Sequence, residues 1–297
     1  MKHKFDVTTM IEGAVAAFMG AAGEPDHEVH NRMIDTFNRA SLADYDHADL
    51  FKLTDYLEKV ILAFRHAWKD ADRSIATEKL ERVFGDEITL LKSIAGVTQY
   101  SPRLYSWAAQ CHEQFIEAIY EPEFYKRRLG WADMDLEQRK GCILELMEKQ
   151  AQAYSKGVVP FITPDLKLFD AKNTVEGYVS LNKNLEKNQP DSVPVWLASN
   201  MFLEEPTYKR AMLRAYHEMI HHITLQLALA VREGKIKQDH PLYADGELKL
   251  ARIENAGHIH GDITPVYSVD GEENLAYEQE FQLYTSCVAK ERKMSPS

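Results

Sequence analysis

Apolar positions in the first half of the chain recur every three or four residues. Leu50, Leu53, Leu57, Val60, Ile61 and Phe64 make one stripe. Leu104, Trp107, Cys111, Phe115 and Ile119 make a second, after Ser101-Pro102, a pair suited to opening a helix. Ile143, Leu146 and Met147 mark a third. Between Pro25 and Pro102 there is no proline, and Gly85 and Gly96 are the only glycines, so little in that stretch interrupts helices. Residues 1–156 are therefore expected to be all-helical, their histidines, methionines and aromatics serving mainly as core. Near the start, Met10 to Ala22 follows Lys2 and Lys4. Asp6 and Glu12 break the clean apolar run a signal peptide needs, so a first amphipathic helix is expected there.

The pattern changes at Gly157. Val158 to Ile162 and Leu166 to Phe169 are short runs of β-forming residues, and Gly177 to Asn182 alternates with period two, as a half-buried strand does. After Pro190 and Pro194 a helix is expected from Glu204-Glu205-Pro206, with acids and proline in its first turn and Gly234 as its stop. A Gly- and His-containing loop should follow over about 234–270, then a last helix from Asp270 to about Lys290. The expected fold class is α+β and predominantly helical: an all-helical region over 1–156, and a second domain over 157–297 with a small sheet and two helices.

Composition narrows the function. At 297 residues the chain can bury a sizeable core without staples. Its net charge of −11, from 35 basic and 46 acidic residues, argues against nucleic acid and anionic membrane surfaces as partners. No apolar run is long enough to span a membrane. Cys111, Cys142 and Cys287 form neither a disulfide framework nor a metal knuckle, which suits a reducing, cytoplasmic setting.

One five-residue stretch carries chemistry. His217-Glu218-Met219-Ile220-His221 lies on the helix expected after Pro206. A chain of this composition would hold such a pattern by chance in about one case in twenty-five. At about 100° per residue, the two imidazoles project about 40° apart, beside the apolar stripe of Met212, Tyr216, Ile220, Ile223, Leu227 and Val231. Two neutral imidazoles one turn apart can share one Zn²⁺, while Glu218 stands close enough to take a proton from an activated water. His222 projects elsewhere and reads as a bystander.

Over about residues 157–290 the chain resembles the zincin metallopeptidases, specifically the gluzincin type (HExxH…E), and loosely the ImmA/IrrE-like and anthrax-lethal-factor-like proteases. The HExxH helix carries most of the likeness. Gly177 to Asn182 is similar to the zincin edge strand, which implies substrate contact by Tyr178, Val179 and Ser180. Glu273-Asn274-Leu275-Ala276-Tyr277 is similar to the stretch that supplies the third zinc ligand, which implies Glu273. Glu254, His258, His260, Asp262, Glu278 and Glu280 remain rivals for that place, and Asp270 and Glu273 also have capping-box spacing. Thr224 and Leu227 stand where a metzincin would have Gly and His, so that branch is excluded. Tyr267 is near the tyrosine that lethal-factor-like zincins use against the developing oxyanion, with His258 and His260 as rivals.

The resemblance implies a zinc-dependent endopeptidase acting on a protein or peptide substrate, in the cytoplasm or exported as an effector without a classical signal. Two alternatives stand beside it. Glu218 and His221 have the Glu-x-x-His spacing of di-iron carboxylate bundles, although the other such pair, Glu24 and His27, flanks a proline. A non-catalytic binding module with the same fold is the other.

Overall fold

A computed structural model describes residues 27–39, 41–67, 77–170, 175–181, 188–255 and 263–294. The helix expected over Met10–Ala22 lies outside them. The elements run α1 His27–Arg39, α2 His47–Ala67, α3 Thr77–Val83, α4 Gly85–Val97, α5 Pro102–Ile119, α6 Pro122–Leu129 and α7 Leu136–Ser155. Then come β1 Leu166–Phe169, β2 Gly177–Val179, β3 Val195–Ala198, α8 Asn200–Leu203, α9 Lys209–Arg232, α10 Tyr243–Asn255, α11 Thr264–Tyr267 and α12 Gly271–Met294. The fold is mostly helical with one small mixed sheet, α+β as expected.

The chain groups into two compact units, Met1–Gln99 with Ala251–Asn274, and Tyr100–Leu250 with Leu275–Ser297. The first has an apolar core of α1, α2, α4 and α11, including Phe37, Leu57, Leu91, Ile94, Ile263 and Val266. His30 is buried in it, with Nδ1 3.0 Å from the Tyr56 hydroxyl and Nε2 2.9 Å from Glu87 Oε1. Arg252 is also buried there and donates to both oxygens of Asp270, at 2.6 and 2.8 Å.

The second unit is built around α9. Its residues from Ala215 to Val231 are all buried, so this helix is covered on every side. α5 and α7 flank it, and a polar chain runs between them: Tyr154 OH lies 3.1 Å from Tyr216 OH and donates to Gln279 Oε1 at 3.1 Å. Ser101 caps α5 as its sequence implied, accepting from the Leu104 amide and donating to Asp245. The sheet order is β1-β3-β2, with β1 parallel and β2 antiparallel to β3. Val195 and Leu197 are fully buried. Trp196 stacks on Tyr178 of the neighbouring strand, with ring centroids 5.7 Å apart.

Four expectations need correction. Val158–Ile162 is not a strand: the Phe161 amide donates to Ser155 Oγ, and the Gln226 amide group clamps both backbone groups of Ile162 at 2.7 Å. Strand β2 is shorter than the alternation implied. It ends at Val179, with Ser180 and Leu181 beyond it and Asn182 outside the described residues. α9 begins at Lys209 and not at Glu204, because a separate turn of helix, α8, ends at Leu203. The region 234–270 is not simply a loop, since it contains α10 and α11. Gly234, at φ +70°, does end the helix, the Lys235 amide reaching back to Ala230 O as a Schellman motif requires.

Candidate metal centre

His217 and His221 lie one turn apart on α9 and are 1% and 7% exposed. Their Nε2 atoms face each other at 3.3 Å, with the rings tilted 69°. Two nitrogens each about 2.0–2.1 Å from one tetrahedral zinc stand about 3.3–3.4 Å apart, so this spacing fits a shared metal. The carboxylate of Glu273, 2% exposed, completes the group. One donor atom from each of the three residues lies within 4.8 Å of the others. Among the described residues this is the group of His, Cys, Asp or Glu side chains able to hold a metal ion. A His₂Glu set is a recognised catalytic zinc set, with room for a fourth position.

Glu273 reaches the histidines from the first turn of α12. The capping-box alternative does not describe that turn, because the side chain of Asp270 accepts from the Glu272 amide at 2.8 Å. Arg252 holds the same Asp270 side chain. Helix packing thus orients the first turn, with Leu275, Ala276, Gln279 and Leu283 on its buried side.

Behind His217 stands a carboxylate that the sequence placed only among rival ligands. His217 Nδ1 lies 2.9 Å from Glu280 Oε2. Such a partner fixes the tautomer that leaves Nε2 as the ligating atom, and raises its basicity. The signal was present: Glu280 follows Glu273 by seven residues, two helical turns, on the same face. Tyr277, Phe281 and Tyr284 recur at helical spacing along α12. All three are exposed, at 44%, 66% and 52%, and Tyr277 packs its ring edge-on against His217 at 4.7 Å between centroids.

Glu218 is 4% exposed. The backbone of β2 presses on it: a Cβ at Gly177 would stand 2.8 Å from Glu218 Cγ and Oε1. Any larger residue at 177 would force the Glu218 side chain to shift. Among the described residues β2 is an edge strand, paired with β3 alone in the sheet order, with Tyr178 exposed, Val179 half-buried and Ser180 exposed just past its end. Arg214, one turn before Glu218, lies near Glu176 and Glu280. Burial works against its charge, but Glu280, Glu218 and Glu176 outweigh it and raise its pKa.

Of the remaining predicted residues, those described are not members of the metal-capable group. Tyr267 is half-buried on α11 and packs against the apolar core of the first unit. Glu254 and Glu278 are exposed, while His258, His260 and Asp262 lie outside the described residues. His222 is fully buried, with Nε2 3.1 Å from both Pro190 O and Val193 O. Among the described residues no helix is long and apolar enough to cross a membrane. Comparison with known protein families, with curated proteins and with solved structures gives no match, so the three converging side chains are the ground on which function is read.

Proposed function

We propose that the chain is a zinc-dependent endopeptidase in which His217, His221 and Glu273 hold the metal. The observation that carries the proposal is the buried His-His-Glu group, with two Nε2 atoms at a tetrahedral spacing and a carboxylate behind one of them. Zinc in such a site supplies Lewis acidity, polarising a scissile carbonyl and lowering the pKa of a water to near neutrality. Glu218, next to His217 and walled in by the β2 backbone, accepts the proton of the attacking water and returns it to the leaving amine. Tyr178 and Val179 of β2, with Ser180 just past it, lie on the strand that ends the sheet among the described residues and would pair with an extended peptide there. Tyr267 is the expected donor to the developing oxyanion. Tyr277 is its rival, because it is exposed and touches His217.

A di-iron bundle would need four carboxylates and two histidines. The metal-capable group among the described residues has three members, which favours one metal. The test is metal analysis of protein purified without added metal, followed by assay of Glu218→Gln on unfolded protein substrates. One zinc per chain is expected, kept by the variant while activity falls at least about a hundredfold. Two irons per chain, or a variant that loses its metal along with activity, would favour the di-iron reading. Zinc with no cleavage by the parent would favour the binding module.

A further inference from the structure

Beside the metal-capable group the ion pairs meet at one side chain that the proposed chemistry leaves without a role. Arg214 lies on α9 one turn before Glu218, with its side chain 18% exposed. Its Nη2 donates to Glu176 Oε2 at 3.4 Å, on the residue that leads directly into β2. Its Nη1 lies 3.9 Å from Glu280 Oε2, the oxygen that also meets His217 Nδ1. The stem of Arg214 lies under the strand as well, since a Cβ at Gly177 would stand 3.0 Å from Arg214 Cγ. Arg210 holds Glu176 from the other side, at 2.7 and 3.1 Å, and is itself paired with Glu205 at 2.6 Å. Two arginines of α9 therefore anchor the start of β2 beside the segment that carries Glu218.

An arginine next to a catalytic group often receives a substrate carboxylate. Here Glu176, Glu280 and Glu218 already surround Arg214, and the neighbouring cation, Arg210, is matched by Glu205 and Glu176. The local balance is negative, so a further anion would have to displace a carboxylate already in place. The better use of the side chain is mechanical. We infer that Arg214 is a positioning residue, which holds the edge strand at a fixed distance from Glu218 through Glu176 and steadies Glu280 behind His217.

The kinetic part of this inference rests on the peptidase reading, while its structural part does not. The experiment compares the parent with Arg214→Met, Arg214→Lys, Glu176→Gln and the Arg214→Met/Glu176→Gln double variant. In metal-free protein, hydrogen exchange of the β2 amides should speed up at least about tenfold in Arg214→Met and less in Arg214→Lys. The α2 amides from Leu50 to Leu57, in the other unit, should not change. In zinc-loaded protein, Arg214→Met should lower kcat at least about tenfold with KM changed less than about threefold, and Arg214→Lys should recover part of the loss. Glu176→Gln also weakens the pair with Arg210, so the double variant is compared with Glu176→Gln alone. In that background Arg214→Met should cost clearly less than in the parent, because the contact the two residues share is already weakened. Unchanged β2 exchange in Arg214→Met, or losses that multiply in the double variant, would overturn the assignment. A parent that binds no zinc and cleaves nothing would remove the peptidase reading, and the exchange measurement would still decide the role of Arg214.

Discussion

His217 and His221 on one side of α9, and His222 on the other, are buried to nearly the same degree, yet their surroundings differ in kind. His222 has one nitrogen against two backbone carbonyls, Pro190 O and Val193 O, and the other 3.0 Å from the Gln226 amide. A neutral imidazole with its N–H shared between the carbonyls and its bare nitrogen accepting from Gln226 satisfies all of these. Burial pushes its pKa down to about 4, against the pull of the two carbonyls. His112 on α5 is similar, with Nδ1 2.9 Å from Tyr216 OH and Nε2 3.2 Å from Ser286 Oγ. His217 and His221 instead turn a nitrogen each toward one point, and Glu273 joins them there. Burial alone therefore does not mark a ligand. Convergence marks a group able to hold a metal, and the carboxylate behind His217 leaves its Nε2 as the nitrogen that faces the other two residues.

The sharpest way to break this contrast is to remove one histidine of each kind. His221→Ala should abolish stoichiometric zinc, because a site that loses one of three protein ligands keeps little affinity. His222→Ala should keep one zinc per chain and lose about 2–4 kcal/mol of stability, from a cavity and unpaired carbonyls. Metal analysis and denaturant titration of the two variants measure both. Zinc lost from His222→Ala with the fold intact would erase the distinction.

A smaller effect tests the carboxylate behind the ligand. Glu280→Gln can still accept from His217 Nδ1–H, but it no longer carries a charge. Zinc affinity should fall about 10–100-fold, the usual scale for such outer partners. Competition with a chelator of known affinity reads this directly. A value unchanged from the parent would show that Glu280 merely fills space.

How much of this was legible in the sequence depends on whether the deciding partner was local. The spacing of His217 and His221 was enough to put both on one side of a helix, and helical phase was enough to set His222 apart. Glu273 needed the resemblance as well, since its spacing from Asp270 served capping equally well. The helix α10 was missed because Gly246 reads as a breaker. In the fold that glycine is a contact point, for a Cβ there would meet Val231 Cγ2 at 2.5 Å. Val158 to Ile162 looked like a strand because it is apolar, but the groups that bond its backbone are side chains of Ser155 and Gln226, the latter 64 residues from Ile162. Tyr277, Phe281 and Tyr284 share a helical stripe, and periodicity cannot say that this stripe faces outward. Local chemistry was readable, then, and partners chosen by tertiary packing were not.

The smallest predicted effect concerns the engaged histidines and appears as pH dependence. Burial lowers the His112 pKa from 6.5 to about 4. Between those values the unfolded chain binds a proton at this residue and the folded protein does not. Stability from this residue is therefore complete above about pH 6.5, falls as the pH drops toward 4, and levels off below it. In chelator-treated protein, denaturant unfolding at pH 7.5 and pH 4.5 measures the total loss, to which His222 contributes with the same sign. His112→Gln removes one titrating group while leaving an amide able to bond with Tyr216 and Ser286. The loss of stability between the two pH values should then shrink by about 2 kcal/mol relative to the parent. An equal loss in parent and variant would mean that His112 titrates alike in the folded and unfolded chain, and the contrast between engaged and converging histidines would rest on His222 alone.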